Sequence, residues 1–144
     1  MAIKNKKNAL IFGIAGQDGS YLSEHLITLG YKVFGVVRRN SVVENQQTRI
    51  ENITEINNMY GDVTDFSSVL NAFDNAKPDL VFNLAAQSHV RVSFEVPVYT
   101  GDTNALGVLN ILEVIRQFYP KTKFYQASSS EMFGNSIDAD KAQR

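Results

Sequence analysis

The sequence contains no cysteine, only two histidines and no long apolar run. Without cysteine there is no disulfide framework and no thiolate to act as metal ligand or nucleophile, and the separated His25 and His89 argue against a zinc site. The formal net charge of -1 argues against a non-specific nucleic-acid or membrane-surface partner. The first apolar run is too short to span a membrane, and no signal-peptide pattern accompanies it, so we expect a cytoplasmic protein.

The composition is that of an ordinary globular domain. Of the 144 residues, 44% are hydrophobic and 20% are charged. A chain of this length forms one domain and buries roughly two-thirds of its unfolded surface.

A glycine-rich turn near the N-terminus is the clearest local signal. The apolar residues 9–12 lead directly into Gly13, Gly16 and Gly19, and helical spacing of apolar residues follows. A buried strand, a glycine turn and a helix start hold a dinucleotide pyrophosphate, because the backbone approaches closely and helix N–H groups face the anion. The spacing G-x-x-G-x-x-G is weak by itself, and a turn that only packs the helix on the sheet is the alternative.

The second predicted strand, residues 32–37, ends at Arg38 and Arg39. In a dinucleotide-binding unit this position meets the adenosine ribose, where an acidic residue would select NAD. A guanidinium group instead binds a 2′-phosphate, so the sequence predicts NADP as the cofactor. Two solvated arginines at a strand end are the alternative interpretation.

Strand and helix patterns alternate along the rest of the chain. We predict strands at 59–60, 80–86 and 123–127, helices at 66–73 and 99–118, and a possible short helix at 46–53. This alternation predicts an α/β fold with a doubly wound parallel sheet, in which ligands bind beyond the carboxyl ends of the strands.

Polar and small residues follow several of these predicted strands. Asp62 either reads an adenine amino group or is a turn aspartate, and Ala85–Ala86 leave room for a cofactor across the sheet. His89 is either a substrate contact or structural. Ser129 and Glu131 follow the last predicted strand, where solvated side chains are the alternative to a functional pair. The convergence of these pieces on one sheet edge predicts a binding site there.

Six segments resemble the extended short-chain dehydrogenase/reductase superfamily and, within it, the GDP-mannose 4,6-dehydratase family. They are GIAGQDGSYL (13–22), VVRRNS (36–41), TRIENI (48–53), YGDVTD (60–65), NLAAQSHVRVSFEVPVYTGD (83–102) and FYQASSSEMFG (124–134). The resemblance covers most of the chain and implies a Rossmann-type NADP-binding domain. Its implied cofactor contacts, together with Gly19 of the glycine turn, are Gly13, Ala15, Gly16, Gln17, Asp18, Arg38, Asp62, Val63, Leu84, Ala85, Ala86, Gln87, Ser88 and Tyr99.

The resemblance also implies catalytic roles for Ser129 and Glu131. The family oxidises the sugar at C4 with NADP+, loses water across C5 and C6, and returns the hydride to C6. Glu131 would remove the C5 proton as general base, and Ser129, where the family commonly has threonine, would hydrogen-bond the sugar oxygen at C4. The substrate implied is a nucleotide sugar, GDP-mannose in this family, and the full-length protein is expected to be a homo-oligomer.

The family's catalytic Tyr-x-x-x-Lys pair belongs on a helix after strand five, beyond residue 144. The one Tyr-x-x-x-Lys in the sequence, Tyr119 to Lys123, straddles Pro120 and cannot share a helix face. We therefore expect an incomplete Rossmann domain, truncated after strand five and without the substrate-binding part, that binds NADP but does not turn over.

Two other functions remain open from the sequence. A nucleotide-sugar 4-epimerase of the same superfamily would not need the Glu131 carboxylate, so its removal distinguishes the two enzymes. A non-catalytic NADP-binding fragment or subunit is the other possibility. It would leave the outer apolar face of the 99–118 helix uncovered.

Overall fold

A parallel β-sheet forms the centre of the computed structural model, which describes residues 6–39, 49–129 and 132. The strands are β1 (Asn8–Phe12), β2 (Lys32–Val37), β3 (Ile56–Tyr60), β4 (Leu80–Asn83) and β5 (Lys123–Gln126). The helices are α1 (Gln17–Thr28), α2 (Phe66–Ala76), α3 (Val90–Glu95), α4 (Pro97–Gly101) and α5 (Gly107–Phe118), with a π-helical turn at Asp102–Leu106 between α4 and α5.

The strands lie in the order β3-β2-β1-β4-β5, and every neighbouring pair is parallel. Alternate residues of β1 enter two separate cores. Leu10 and Phe12 pack with α2 and α5 on one face, whereas Ala9 and Ile11 pack with α1 on the other. Because every strand is parallel to its neighbours, all carboxyl ends meet at one edge of the sheet, and helices cover both faces. This confirms the predicted doubly wound α/β fold of the Rossmann type.

Local end signals define the first two helices. Helix α1 ends at Thr28, and Gly30 adopts a φ of 83° that a Cβ would disfavour. The side chain of Asp65 caps α2 by accepting hydrogen bonds from the backbone N–H groups of Ser67 at 2.9 Å and Ser68 at 3.3 Å. These ends fix which faces of the two helices meet the sheet.

Several predicted strand and helix bounds are wrong by a few residues. Strand β3 begins at Ile56 rather than at residue 59, and α2 continues to Ala76 rather than ending at residue 73. Strand β4 ends at Asn83 rather than at residue 86, because the buried Asn83 carboxamide accepts from the Ala85 backbone N–H at 3.2 Å and draws the chain away from the sheet. Strand β5 ends at Gln126, one residue early.

The helical region before β5 is more broken than predicted. The single helix expected at 99–118 is the α4, π-turn and α5 series, and α3 was not predicted. Proline at the first position of α4 starts a new helix there, because its missing N–H costs nothing at a helix start. Of the short helix expected at 46–53, residues 46–48 lie outside the described residues, and residues 49–52 form turns.

No helix among residues 6–39 and 49–129 is long and apolar enough to cross a membrane. Within the same ranges no group of three or more His, Asp or Glu side chains is placed to hold a metal ion.

Candidate functional site

The turn between β1 and α1 has no room for side chains on its glycines. Gly13 has a φ of 79°, and a Cβ there would lie 2.7 Å from the backbone nitrogen of Ala85. A Cβ on Gly19 would lie 2.5 Å from the carbonyl oxygen of Gly13, which itself accepts a hydrogen bond from the Gly16 N–H at 3.0 Å. Backbone contacts at the carboxyl edge of the sheet therefore require Gly13 and Gly19, whereas a Cβ on Gly16 would lie 3.2 Å from the Gly13 carbonyl oxygen, a tight contact.

Helix α1 starts directly at this turn. Gly16 is its N-cap, and among the described residues no side chain caps the helix. The first N–H groups of α1, at the positive end of the helix dipole, thus face outward at the sheet edge. This arrangement suits a phosphate or pyrophosphate group.

A cleft of about 410 Å³ runs along the same edge, and we call it the main cleft. Its lining residues are Phe12, Gly13, Ala15, Gly16, Val36, Val37, Arg38, Gly61, Asp62, Val63, Leu84, Ala85, Ala86, Ser88, Tyr99 and Thr103. The ends of β1, β2, β3 and β4 all contribute. The lining residues come from five separate parts of the sequence, and the fold places them on one surface.

A second cavity of about 260 Å³, the side pocket, adjoins the glycine turn. Its lining residues are Gly13, Gly16, Gln17, Asp18, Gly19, Leu84 and Ala127. Ala127 follows β5, so the side pocket connects the start of α1 with the end of the last strand. The two cavities together are lined by all the predicted cofactor residues except Gln87.

Gln87 has a supporting position instead. Its backbone N–H donates to Asn104 Oδ1 at 2.8 Å, and its side-chain amide donates to Thr100 Oγ1 at 3.1 Å. These bonds tie the loop after β4 to α4 and the π-helical turn. Gln87 therefore positions one wall of the main cleft.

Arg38 and Tyr99 meet across the main cleft. The guanidinium of Arg38 donates a hydrogen bond to the Tyr99 hydroxyl and lies 5.5 Å from the centre of the Tyr99 ring. This cation–π contact holds a positive charge at the end of β2. It is also the position at which a ribose 2′-phosphate would lie in a dinucleotide site.

Asp62, at the end of β3, is a turn aspartate, which was the predicted alternative to an adenine contact. Its Oδ1 accepts from the backbone N–H of Thr64 at 3.0 Å and from the Thr64 hydroxyl at 2.9 Å. Asp62 also lines the main cleft. The turn role is therefore observed, and contact with an adenine stays a prediction.

The end of β5 brings Ser129 to the same edge of the sheet. The Ala127 N–H donates to the Asn83 carbonyl at 3.2 Å, which extends the β4–β5 pairing one step towards Ser129. Ser128 has a φ of 59°, so the chain turns sharply there, and Ser129 is exposed. Glu131, the predicted general base, lies outside the described residues.

His89 has a backbone role in the described structure. It is exposed, it precedes α3, and its N–H donates to Gln87 Oε1 at 2.6 Å. These contacts involve the backbone of His89, so a substrate contact of its exposed side chain stays a prediction.

The Tyr119–Lys123 pair lies at the opposite edge of the sheet. Lys123 begins β5, and Tyr119 ends α5, where its hydroxyl donates to Asp74 Oδ1 at 2.6 Å. Partial burial and the Asp74 carboxylate raise the pKa of Tyr119, whereas a catalytic tyrosinate needs a lowered pKa. Tyr119 thus makes a structural contact with α2, and Lys123 has no part in it.

Thr103 is a lining residue that the sequence analysis did not identify. It is 7% exposed and lies in the π-helical turn between α4 and α5. Its spacing of four from Tyr99 would place the two residues on one face of a regular helix. The π-helical turn that contains Thr103 has no signal in the sequence pattern, so this lining residue could not be predicted.

The arrangement fits a dinucleotide cofactor. The glycine turn is a cradle that any Cβ would fill, the α1 N-terminus faces outward, and a guanidinium lies at the end of β2. Small residues after β4 line the cleft between these groups. The backbone N–H groups at the start of α1 thus offer an anion site, and the Arg38 side chain offers a cationic site for a ribose phosphate along the same cleft.

Three comparisons with known proteins agree with this geometry. A family model for GDP-mannose 4,6 dehydratase matches residues 10–143. The GDP-mannose 4,6-dehydratase of Vibrio cholerae is 49% identical over 140 residues, which are 90% of this chain and 37% of that protein. GDP-mannose 4,6 dehydratase 1 of Arabidopsis thaliana is 47% identical over 147 residues, which are 93% of this chain and 40% of that protein.

Among solved structures, UDP-glucose 4-epimerase of Thermotoga maritima with UDP-glucose superimposes with a TM-score of 0.74 at 31% identity. The match covers 92% of this chain and 41% of that one. The chain thus spans about two-fifths of the length of the proteins that it matches.

Proposed function

Because the chain belongs to the GDP-mannose 4,6-dehydratase family, we propose that it is the NADP-binding part of a nucleotide-sugar dehydratase. The reaction proposed for the whole enzyme converts GDP-mannose to GDP-4-keto-6-deoxymannose. When bound, NADP+ supplies a hydride acceptor that is regenerated in each cycle, so that the net change in the sugar is loss of water.

The placement of Arg38 is the observation that carries the cofactor proposal. Its guanidinium lies at the end of β2, on the main cleft that begins at the glycine turn. Arg38 offers a fork of N–H donors that matches a 2′-phosphate, which NADP carries and NAD does not. The contact with Tyr99 keeps this fork at the cleft before any ligand arrives.

The remaining residues of the cleft take supporting roles in this proposal. The first N–H groups of α1 hold the pyrophosphate, and Gln17, Asp18 and Gly19 line the side pocket next to them. Asp62 and Val63 border the adenine, and the backbone after β4 supports the rest of the dinucleotide.

Ser129 and Glu131 carry the proposed sugar chemistry. The Ser129 hydroxyl would hydrogen-bond the sugar oxygen at C4, and its place beyond β5 supports that role. Glu131 would take the C5 proton, which a ketone at C4 acidifies, and would protonate the hydroxyl leaving C6. The 144 residues by themselves are proposed to bind cofactor without turnover, because Tyr119 and Lys123 lie away from the cleft.

Isothermal titration of the chain with NADP+ and NAD+ tests this proposal. We expect NADP+ to bind more tightly, and we expect Arg38→Ser to weaken NADP+ by about ten- to a hundredfold while changing NAD+ little, since a charge-assisted contact is lost. Arg116→Ser is the matched control, because Arg116 pairs with Glu113 on α5 at 2.7 Å.

Two outcomes would contradict the proposal in different ways. Equal affinity of the unsubstituted chain for both dinucleotides would show that Arg38 does not read the 2′-phosphate. Binding of neither dinucleotide would show that the described cleft is not a cofactor site in this chain.

A further inference from the structure

Thr103 has a buried hydroxyl with an unmet hydrogen-bonding requirement. The residue is only 7% exposed, and Oγ1 has no hydrogen-bond partner within the part of the chain that the structure describes. A buried polar atom without a partner destabilises a fold, so such an atom in a native protein needs an explanation.

Five other hydroxyls in the helices of this chain form hydrogen bonds with nearby backbone carbonyls. The hydroxyls of Ser20, Ser23, Thr28, Ser93 and Thr100 each donate to the carbonyl three or four residues earlier, at 2.6–3.1 Å. Thr100 does so only three residues before Thr103. The state of the Thr103 hydroxyl is therefore not what a helix normally imposes on a threonine.

The backbone at Thr103 is also exceptional. Thr103 lies in the π-helical turn Asp102–Leu106, where the Gly107 N–H donates to the Asp102 carbonyl five residues earlier. Single π-helical turns widen a helix at a cost in hydrogen-bond geometry and occur frequently at functional sites. The unpaired hydroxyl and the π-helical turn, each of which lowers stability, thus occur at the same residue.

The position of Thr103 indicates which part of a ligand it would meet. Its side chain lines the main cleft together with Tyr99, about one helical turn earlier. Gly107, about one turn later, packs so closely on Val63 that a Cβ would lie 2.7 Å from Val63 Cγ2. Thr103 therefore belongs to the Arg38, Asp62 and Val63 end of the cleft.

We propose that the Thr103 hydroxyl hydrogen-bonds the adenosine half of the bound dinucleotide. This inference rests on the proposed cofactor function. Thr103 lines the main cleft, so a turn about its Cα–Cβ bond between staggered positions is the change by which the hydroxyl would face a ligand there, with no backbone movement. The hydroxyl has no hydrogen-bond partner within the described residues, so a bound ligand would supply the missing one.

Thr103→Val tests the proposal, because it removes the hydroxyl and keeps the shape. Two probes are titrated calorimetrically: NADP+, and adenosine 2′,5′-bisphosphate, which holds the adenosine half alone. We expect both to bind about five- to tenfold more weakly to the variant, as loss of one hydrogen bond predicts. We also expect the unliganded variant to melt roughly 2–4 °C higher, because an unpaired buried hydroxyl is removed.

Thr122→Val is the matched control. The Thr122 hydroxyl donates to the Pro78 carbonyl at 2.8 Å, beside the start of β5 and away from the cleft. We expect this variant to melt lower than the unsubstituted chain and to keep its affinity for both probes. Thr103→Ser keeps the hydroxyl, so this variant should bind both probes as the unsubstituted chain does.

Three other results would contradict the Thr103 inference, and one of them would also contradict the proposed function. If the unsubstituted chain binds both probes and Thr103→Val binds them equally well, the Thr103 inference is wrong and the proposed function stands. If only NADP+ binding weakens, the hydroxyl does not meet the adenosine half. If the unsubstituted chain binds neither probe, the proposed function fails and the inference fails with it.

Discussion

At the scale of single residues, two glycines both have a positive φ angle but differ in the atoms that surround them. Gly13 has a φ of 79° and Gly30 a φ of 83°. A Cβ on Gly13 would meet backbone atoms of Leu84 and Ala85 within 2.9 Å, whereas a Cβ on Gly30 would have no atom within 4 Å. Only Gly13 therefore needs both an unusual dihedral angle and empty space.

Gly13→Ala and Gly30→Ala separate these two requirements. We expect Gly30→Ala to lower the unfolding free energy by about 1–2 kcal/mol, the cost of the left-handed backbone alone. Gly13→Ala should cost roughly 2–5 kcal/mol, because a backbone contact must also shift, and it should weaken NADP+ binding. Urea denaturation and titration measure both. Equal costs for the two variants would contradict the contact argument.

Those residues of the candidate site whose signals lie within a short sequence segment could be predicted, whereas those that depend on packing between distant segments could not. The glycine spacing and the arginine at the end of β2 are written in consecutive residues, so both could be predicted. The contact of Arg38 with Tyr99 depends on the packing of α4 over the cleft. The place of Thr103 depends on a π-helical turn, whose register no apolar spacing encodes.

At the scale of elements, side chains rather than propensity end the strands. Residues 80–86 are apolar except for Asn83, so the apolar pattern extended the predicted strand β4 to residue 86. The Asn83 carboxamide ends it earlier, because it accepts from the Ala85 N–H and donates to Gln126 Oε1 at 2.9 Å. The early end of β4 frees the residues that line the main cleft.

A second element-scale feature joins α2 to α5 at the amino edge of the sheet. The Tyr119 hydroxyl donates to Asp74 at 2.6 Å and accepts from the Lys77 ammonium at 2.8 Å. The Tyr119 ring also packs on Phe73, with ring centres 5.2 Å apart. The Tyr119 hydrogen bond and the Lys77 ammonium keep the pKa of Asp74 below its usual value.

Tyr119→Phe removes the hydroxyl contacts and keeps the ring. We expect a loss of at most about 1 kcal/mol in unfolding free energy, because exposed charges are screened, with no change in NADP+ affinity. Since the pKa of Tyr119 is raised, its contribution is complete below pH 10 and is lost as the pH rises through the raised value. The difference between the two chains should therefore shrink above pH 10 in urea titrations.

Tyr125→Phe is the control for this substitution. Tyr125 is 55% exposed, and its ring packs on Phe82 with centres 5.9 Å apart, a contact that phenylalanine keeps. It should leave stability and its pH dependence nearly unchanged. Loss of NADP+ binding in Tyr119→Phe alone would mean that Tyr119 acts in the cleft after all.

At the scale of the whole molecule, the parallel sheet explains why the distant predictions converged. Sequence patterns locate strands one at a time, and right-handed crossovers then bring every carboxyl end to one edge. The alternation of strands and helices therefore predicts a site at this edge without knowledge of any side-chain contact. The helices after β4 were harder to predict, because α3, α4 and the π-helical turn are each shorter than the apolar period needs for recognition.

The outward face of α5 is a second whole-molecule feature. Ile111 and Val114 are fully buried against the sheet, whereas Leu106, Leu109 and Leu112 are 53%, 52% and 42% exposed. Contiguous exposed apolar side chains on one helix face favour association. This exposure agrees with the expectation of an uncovered apolar face, and it supports a homo-oligomer as a proposal.

Sedimentation velocity over a range of protein concentrations tests whether this face associates. We expect the unsubstituted chain to sediment faster as its concentration rises, and we expect Leu109→Glu with Leu112→Glu to remain monomeric, because two buried like charges would oppose the contact. Asn71→Glu with Asn75→Glu adds the same charge to the polar face of α2 and should leave association unchanged. If the unsubstituted chain stays monomeric at every concentration, these leucines do not mediate association, and the homo-oligomer proposal loses this support.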